Sequence, residues 1–194
     1  MDSFIVLFAA SLLGGTASGA GIVAFEGDTF PEASGWTREP FGSPTRTVDG
    51  GVFVQSFDEP TDQDFYRRSL ADFAGAEGFF VEWRVRSDAP ASVLDRSQLP
   101  SGLSLYGNGA ALYHTTITSS RVQFLRDTLL PLVFVDIDPS TFHTYRVELF
   151  GTDLYSFYVD GQLIDSGTPL GPFPTAASGI VWGARYYAPG QMVQ

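Results

Sequence analysis

The stretch Phe142–Asp165, FHTYRVELFGTDLYSFYVDGQLID, decides the fold class of this chain. Apolar residues alternate with polar or charged ones on both sides of Gly151, which is the period of a half-buried β-strand. Asp160 and Gly161 follow the second alternating run, and both residue types tolerate the positive φ angles of a tight hairpin turn. The stretch therefore predicts three antiparallel strands with one buried, aromatic face.

The stretch Phe79–Arg86, FFVEWRVR, alternates in the same way. Its apolar positions include Trp83, which we predict to lie in the core. Glu82 and Arg84 occupy the opposite face two residues apart, so the pattern predicts an ion pair between them. This segment adds a second strand with an apolar inner face and a charged outer face.

Shorter runs of the same kind recur along the chain, separated by Gly- and Pro-rich turns about 8–12 residues apart. Thr45–Ser56 predicts a hairpin that turns at Asp49-Gly50-Gly51, whereas Phe65–Phe73 fits a short helix and a strand equally well. A length of 194 residues suits one domain. We predict an all-β fold, a two-sheet antiparallel β-sandwich of the jelly-roll type.

The composition excludes several classes of function. The chain has 22 acidic and 11 basic residues, a net charge of −11, and no cysteine. Most of this surface would repel a phosphate backbone, so we expect no nucleic-acid partner. The lack of cysteine excludes disulfides, thiolate metal sites and a cysteine nucleophile.

The first 20 residues resemble a secretory signal peptide. Phe4–Leu13 is an apolar run, and Ser18 and Ala20 supply the small residues of a cleavage site before Gly21. Asp2 departs from the pattern, which calls for a basic start. We predict a signal peptide over 1–20, a single domain over 21–194, and bacterial export to the medium or cell surface. The alternatives are a buried first strand and a frayed apolar terminus.

The apolar run at the N-terminus is too short to cross a bilayer as a helix. The rest of the chain offers no longer apolar run. We therefore expect no membrane insertion of the mature chain.

Several segments resemble the concanavalin A-like lectin/glucanase superfamily, which includes laminin-G-like domains. They are FVEWRVR at 80–86, HTYRVEL at 143–149, YSFYVDG at 155–161, the loop around Trp36, and WGAR at 182–185. The resemblance covers nearly the whole chain after residue 20 and implies a jelly roll. It implies little about function, because that superfamily holds lectins, glycosidases and adhesion modules.

A glycosidase of this superfamily is expected to carry paired carboxylates. A retaining enzyme needs two carboxyl groups about 5–5.5 Å apart, and the superfamily's enzymes place them in a Glu-x-Asp-x-x-Glu string. The sequence has no such string, and Glu82 and Glu148 each stand among arginines. The sequence favours a non-catalytic module and leaves a glycoside hydrolase as an alternative.

The candidate sugar-binding residues lie in a predicted hairpin around residues 103–115. Four tyrosines fall outside the predicted core: Tyr106, Tyr113, Tyr158 and Tyr186. Tyr106 and Tyr113 flank a turn that contains Asn108, and His114 follows. Aromatic rings stack on the apolar faces of sugars, while amide and imidazole groups bond their hydroxyls. Half-buried packing within the sheet is the alternative for these tyrosines.

Calcium is the one cofactor that the sequence suggests. Asp136 and Asp138 lie on alternate residues at the end of the predicted strand Val133–Ile137, where they could hold a metal ion or cap the turn at Ser140. The acidic run 57–64 adds further carboxylates, but its spacing does not match the helix-loop-helix calcium motif.

The expected partner is a carbohydrate or a protein. Domains of the resembled superfamily close with one more strand than this chain offers after Tyr187. Either the chain is truncated before that strand, or it has an open sheet edge that a second copy could occupy. We predict a secreted or surface lectin-like module that binds carbohydrate. The alternative is an assembly or adhesion protein that acts through protein contacts.

Overall fold

The protein is a sandwich of two antiparallel β-sheets, which confirms the predicted fold class. The computed structural model describes residues 2–11, 23–25, 27–57, 62–69, 78–87, 101–107, 111–117, 122–125, 131–138, 140–150, 154–168 and 179–185. Side chains are described for part of these residues.

The first sheet has eight strands. They are β1 (Asp2–Ser11), β2 (Val23–Phe25), β4 (Thr45–Asp49), β5 (Val52–Phe57), β7 (Gly78–Ser87), β12 (His143–Phe150), β13 (Leu154–Val159) and β14 (Gln162–Gly167). Their order is β14-β13-β12-β7-β1-β5-β4, and β2 pairs with β1 beside this path. Edge and centre of this sheet therefore come from distant parts of the chain.

The second sheet has seven strands. They are β3 (Thr37–Phe41), β6 (Gln63–Ser69), β8 (Ser101–Gly107), β9 (Ala111–Ile117), β10 (Val122–Leu125), β11 (Pro131–Val135) and β15 (Gly179–Arg185), in the order β11-β10-β9-β8-β15-β6-β3. A short 3₁₀ turn, η1 (Pro31–Ser34), precedes β3. The ambiguous segment after residue 62 is a strand through Ser69, since its alternate residues pack between the sheets.

The three predicted strands between residues 142 and 165 are present as β12, β13 and β14. Tyr145 and Val147 are buried, as the alternation predicts. Asp160 and Gly161 have φ angles of 50° and 78°, the paired positive values of a type I′ turn. This turn joins β13 to β14 and sets the register in which Val159 lies opposite Gln162.

Aromatic side chains from both sheets fill the core. Trp182 of β15 stacks on Tyr66 with ring centroids 4.7 Å apart and on Phe25 at 5.6 Å. Phe124 and Phe157 stack across the two sheets at 4.4 Å. Such pairs each add about 0.5–1.5 kcal/mol beyond the burial of their area. The inner faces of the two sheets therefore form the core, and a binding site is more readily placed on an outer face.

Strand β1 lies in the middle of the eight-stranded sheet. Its residues Asp2–Val6 pair with β5, and Phe4–Ser11 pair with β7. In this arrangement the segment is a central first strand, as in one alternative to the signal peptide. Cleavage before Gly21 would remove the strand, so cleavage and this sheet exclude each other. The predicted cleavage stays a prediction, which the mass of the mature chain would test.

Helices contribute little to this fold. Within the described ranges, no helix is long and apolar enough to span a membrane. The four-residue turn η1 precedes Trp36, whose buried indole packs edge-on against Trp182 with ring centroids 5.7 Å apart.

Candidate functional site

A polar groove lies on the outer face of the eight-stranded sheet, across β7, β12 and β13. This outer groove has a volume of about 220 Å³ and is lined by Glu82, Thr144, Arg146, Glu148, Tyr158 and Gly161. Alternation explains its composition: the residues between these positions on each strand are apolar and buried. The groove is therefore built from the outward positions of three neighbouring strands.

Arg146 stands at the centre of the outer groove. It lies directly opposite Glu82 in the register of β12 and β7. Its guanidinium bonds the Glu148 carboxylate at 2.5 Å, comes within 3.8 Å of the Glu82 carboxylate, and lies 3.9 Å from the centroid of the Phe80 ring. A cation held over an aromatic face is attracted by the ring. The carboxylates and the ring together hold Arg146 in one position.

Tyr158 forms the aromatic wall of the groove. Its hydroxyl donates a hydrogen bond to the Glu148 carboxylate at 3.2 Å, and its ring is half-buried. Glu148 thus accepts bonds from both Arg146 and Tyr158, one on each oxygen. A ligand in the groove would meet the Tyr158 ring, the Thr144 side chain and the Glu82 carboxylate.

Two predictions about the charged residues of the outer groove differ from the structure. The predicted ion pair between Glu82 and Arg84 is not formed; Arg84 lies 5.0 Å from the ring centroid of Phe142. Glu82 faces Arg146 instead, because β12 pairs alongside β7. Glu82 and Glu148, which look isolated in the sequence, therefore meet at one guanidinium. Nothing local in the sequence identifies β12 as the neighbour of β7.

A hydrogen-bonded turn lies beside the groove. The Asp160 carboxylate is 2.6 Å from Nδ1 of His143 and accepts the Thr144 amide at 2.9 Å. The Asp160 amide donates to the Thr144 carbonyl at 2.8 Å. Burial raises the pKa of Asp160, but the hydrogen bonds from His143 and Thr144 outweigh it, so its pKa lies below the ordinary value. The ionised carboxylate holds the turn in place.

The lowered pKa of Asp160 predicts acid sensitivity. The unfolded chain binds this proton near pH 3.9, before the folded protein does. The stabilisation is therefore complete above about pH 4 and is lost as the pH falls through the folded pKa. We expect Asp160→Asn, which keeps the left-handed backbone, to lower the free energy of unfolding at pH 7. The difference from wild type should shrink at pH 2.5, as measured by urea unfolding.

Asp49→Asn is the matched control for this change, because Asp49 is an exposed aspartate at another hairpin turn. It should show no comparable dependence on pH. An equal difference between Asp160→Asn and wild type at both pH values would contradict the proposed role of the charge.

The predicted metal ligands lie at the end of β11. Both Asp136 and Asp138 are exposed. The Asp138 carboxylate accepts bonds from the Ser140 hydroxyl at 2.5 Å and the Ser140 amide at 3.1 Å, and these bonds lower its pKa. Asp138 therefore caps the turn, which was the alternative to a metal. No group of three acidic or histidine residues suited to a metal occurs in the described part of the chain. The metal site stays a prediction.

Two carboxylates of the acidic run 57–64 serve the fold. Asp64 is fully buried, and both of its oxygens accept bonds from Arg38, at 2.7 and 3.1 Å. Asp62 accepts the Ser43 amide at 2.8 Å. Arg38 compensates the charge of Asp64 in the interior, where an unpaired carboxylate would be costly.

The predicted sugar-binding hairpin is present as β8 and β9. Tyr106 pairs with Leu112, and Tyr113 and His114 lie in β9, so the two tyrosines are not cross-strand partners. Asn108 and the side chains of Tyr106, Tyr113 and His114 lie outside the described residues. The hairpin is confirmed, and the sugar site on it stays a prediction.

Comparisons with known proteins identify the fold alone. No protein-family model matches the chain, and no curated protein matches its sequence. The structure is similar to one of botulinum neurotoxin type C, a toxin whose cell entry depends on interaction with two ganglioside molecules. The TM-score is 0.52 and the sequence identity 14%, and the match covers 96% of this chain and 44% of that one. The structure is also similar to the binding domain of botulinum neurotoxin DC in complex with rat synaptotagmin II (0.50, 13%, 92% and 44%). This chain spans less than half the length of either.

Proposed function

We propose that this chain is a non-catalytic β-sandwich module that binds a carbohydrate in the outer groove. The observation that carries the proposal is the combination of a half-buried tyrosine ring with hydrogen-bonding groups in one cavity. We also assign the chain to the concanavalin A-like type of sandwich, on the resemblance of its strands β7, β12 and β13.

The size of the outer groove suits a small polar ligand. Pockets for drug-sized ligands measure about 300–1,000 Å³, whereas this groove measures about 220 Å³. One sugar ring is a ligand of suitable size. The apolar face of such a ring would lie against Tyr158, and its hydroxyls would bond Thr144 and the Glu82 carboxylate.

The two similar structures support a binding role. One belongs to a toxin that interacts with gangliosides, and the other is a complex with a protein. Carbohydrate and protein partners are thus both found on related folds. The polar lining of the outer groove favours the carbohydrate.

The carboxylates of the outer groove do not form the pair that a glycoside hydrolase needs. A glycosidase needs one carboxyl group free to donate a proton to the leaving oxygen. Each oxygen of Glu148 already accepts a bond from a protein group. Glu82 is the remaining carboxylate of the groove, and a single carboxylate does not meet the requirement.

A glycan array with the full chain tests the proposal. Loss of an aromatic contact costs about 0.5–1.5 kcal/mol, so we expect Tyr158→Ala to weaken binding of an array-positive glycan by about two- to tenfold. Tyr158→Phe keeps the ring and should retain most of the affinity. Selective binding that is lost in Tyr106→Ala or Tyr113→Ala, but not in Tyr158→Ala, would move the site to the β8–β9 hairpin.

The glycan array also tests the roles of calcium and of a protein partner. A repeat in EDTA tests calcium, since the sugar affinity should fall if Asp136 and Asp138 hold an ion. A blank array, with or without calcium, would reject carbohydrate binding and favour a protein partner.

The proposed place of action is outside the cell or at its surface, as residues 1–20 predict. Cell fractionation and the mass of the exported chain test this. A chain that begins at Gly21 would require another strand to fill the place of β1. A chain found only inside the cell would contradict export.

A further inference from the structure

Five described strands have one unpaired side. They are β4 and β14 at the ends of the eight-stranded sheet, β3 and β11 at the ends of the seven-stranded sheet, and β2, which pairs only with β1. An edge strand carries backbone N–H and C=O groups that face no neighbour, and these groups can pair with another chain. Proteins prevent such pairing with prolines, bulges or charges along the edge. The edges differ in how well such features protect them from pairing.

Four of these five edges are very short or interrupted. Strand β2 has only three residues. In β14 the register shifts between its partners Phe157 and Tyr158, which leaves Ile164 as an extra residue. In β11 a similar irregularity lies next to Pro131. In β3, Pro40 lacks the N–H that an added strand or its own neighbour would need. Bulges and prolines of this kind make these edges poor templates for pairing.

The remaining edge, β4, is regular. Thr45–Asp49 pairs with β5 residue for residue, without a shift and without a proline. Thr45, Thr47 and Asp49 are exposed, and β4 pairs with no other described strand. The backbone N–H and C=O groups on the unpaired side of β4 are therefore regularly spaced, as hydrogen bonding to another strand requires.

We propose that β4 pairs antiparallel with β4 of a second copy of this chain, across a two-fold axis at Thr47. In this register Thr47 faces its own copy, Thr45 faces Asp49, and Arg46 faces Val48. No two like charges lie opposite each other, which a cross-strand pairing requires. The two eight-stranded sheets join into one continuous sheet.

The assembly closes at two copies. Pairing of a strand with itself across a two-fold axis uses the same surface on both partners. Because β4 is the only regular edge of more than three residues among the described strands, no second edge extends the assembly into a fibre. The outer groove lies across β7, β12 and β13 and stays open in the dimer.

The dimer is weak and strengthens with salt. The contact is one strand of five residues, which places it among small, transient interfaces. Each copy carries a net charge of −11, so the copies repel each other at low ionic strength. Salt screens this repulsion over about 8–10 Å at physiological concentrations.

Sedimentation equilibrium of the full chain over a range of protein and salt concentrations tests the proposal. The wild type should dimerise reversibly, more tightly at high salt. Thr47→Lys and Thr47→Glu each place two like charges at the two-fold axis, which should weaken dimerisation about fivefold or more. An equal mixture of the two variants should restore the dimer, because Lys then faces Glu.

Ser166→Lys is the matched control, since Ser166 is exposed on the interrupted edge β14. It should leave dimerisation unchanged, and circular dichroism should show that all variants keep the fold. A wild type that stays monomeric at every concentration would overturn the proposal. So would a dimer that resists both Thr47 variants or that Ser166→Lys disrupts. Sugar binding should be the same in all of them.

Discussion

The chain Gly21–Gln194 is expected to be unfolded, although it keeps every residue of the outer groove. Removal of β1 breaks three ladders at once, because this strand pairs with β2 and β5 on one side and with β7 on the other. Domains of this size have a free energy of unfolding of about 5–15 kcal/mol in total. We expect the loss of a central strand to cost more free energy than this. Far-UV circular dichroism and urea unfolding of the shortened and full chains would show the difference.

Val6→Pro in the full chain separates the role of the strand from that of the deletion. Val6 pairs with Phe53 on one side and Val85 on the other, so its N–H belongs to a ladder. Proline removes that N–H and should abolish the cooperative transition, whereas Val6→Thr keeps it and should leave the transition in place. A cooperative, native-like Gly21–Gln194 would contradict the central position of β1 and favour the cleaved signal peptide.

Gly183→Ala is expected to destabilise the protein more than the addition of one methyl group anywhere else in the described core. A Cβ at Gly183 would lie 2.1 Å from the Asp64 carbonyl oxygen and 2.7 Å from the Phe65 Cα, both of them backbone atoms. The φ angle of 149° adds strain for any residue with a side chain. We expect a loss of about 3–5 kcal/mol in the free energy of unfolding.

Gly161→Ala is the control for the backbone angle alone. Gly161 has a φ of 78°, but nothing lies within 4 Å of its would-be Cβ. The substitution should cost about 1–2 kcal/mol, the penalty of a left-handed residue. Equal losses for both variants in urea unfolding would show that the approach of β15 to β6 is looser than the structure has it.

The elements that sequence reasoning predicted correctly depend on short-range patterns. The three strands around Gly151 follow from alternation and from one turn, because both are properties of neighbouring residues. The cap at Asp138 is similar, since an aspartate bonds a backbone amide two residues later. Local chemistry was sufficient for these features.

The composition of the outer groove depends on which strands are neighbours, and local patterns do not decide this. Glu82 and Arg146 lie opposite each other only because β7 pairs with β12. Tyr158 was recognisable as a tyrosine outside the core, but its bond to Glu148 requires the register of β13. The apolar run 4–13 is ambiguous for a related reason. A signal peptide and a strand buried in a sheet both need an uninterrupted apolar segment.

The position of β1 also affects how the protein reaches its fold in time. The first strand to leave the ribosome has to wait for β7, since Phe4 pairs with Ser87. Contacts between residues so far apart in the chain form slowly, because a long loop must close before they contribute. Until then an apolar segment of the nascent chain is exposed to aggregation and to chaperones. Synthesis at lower temperature or with abundant chaperones should therefore raise the yield of soluble protein more than a stabilising substitution elsewhere would.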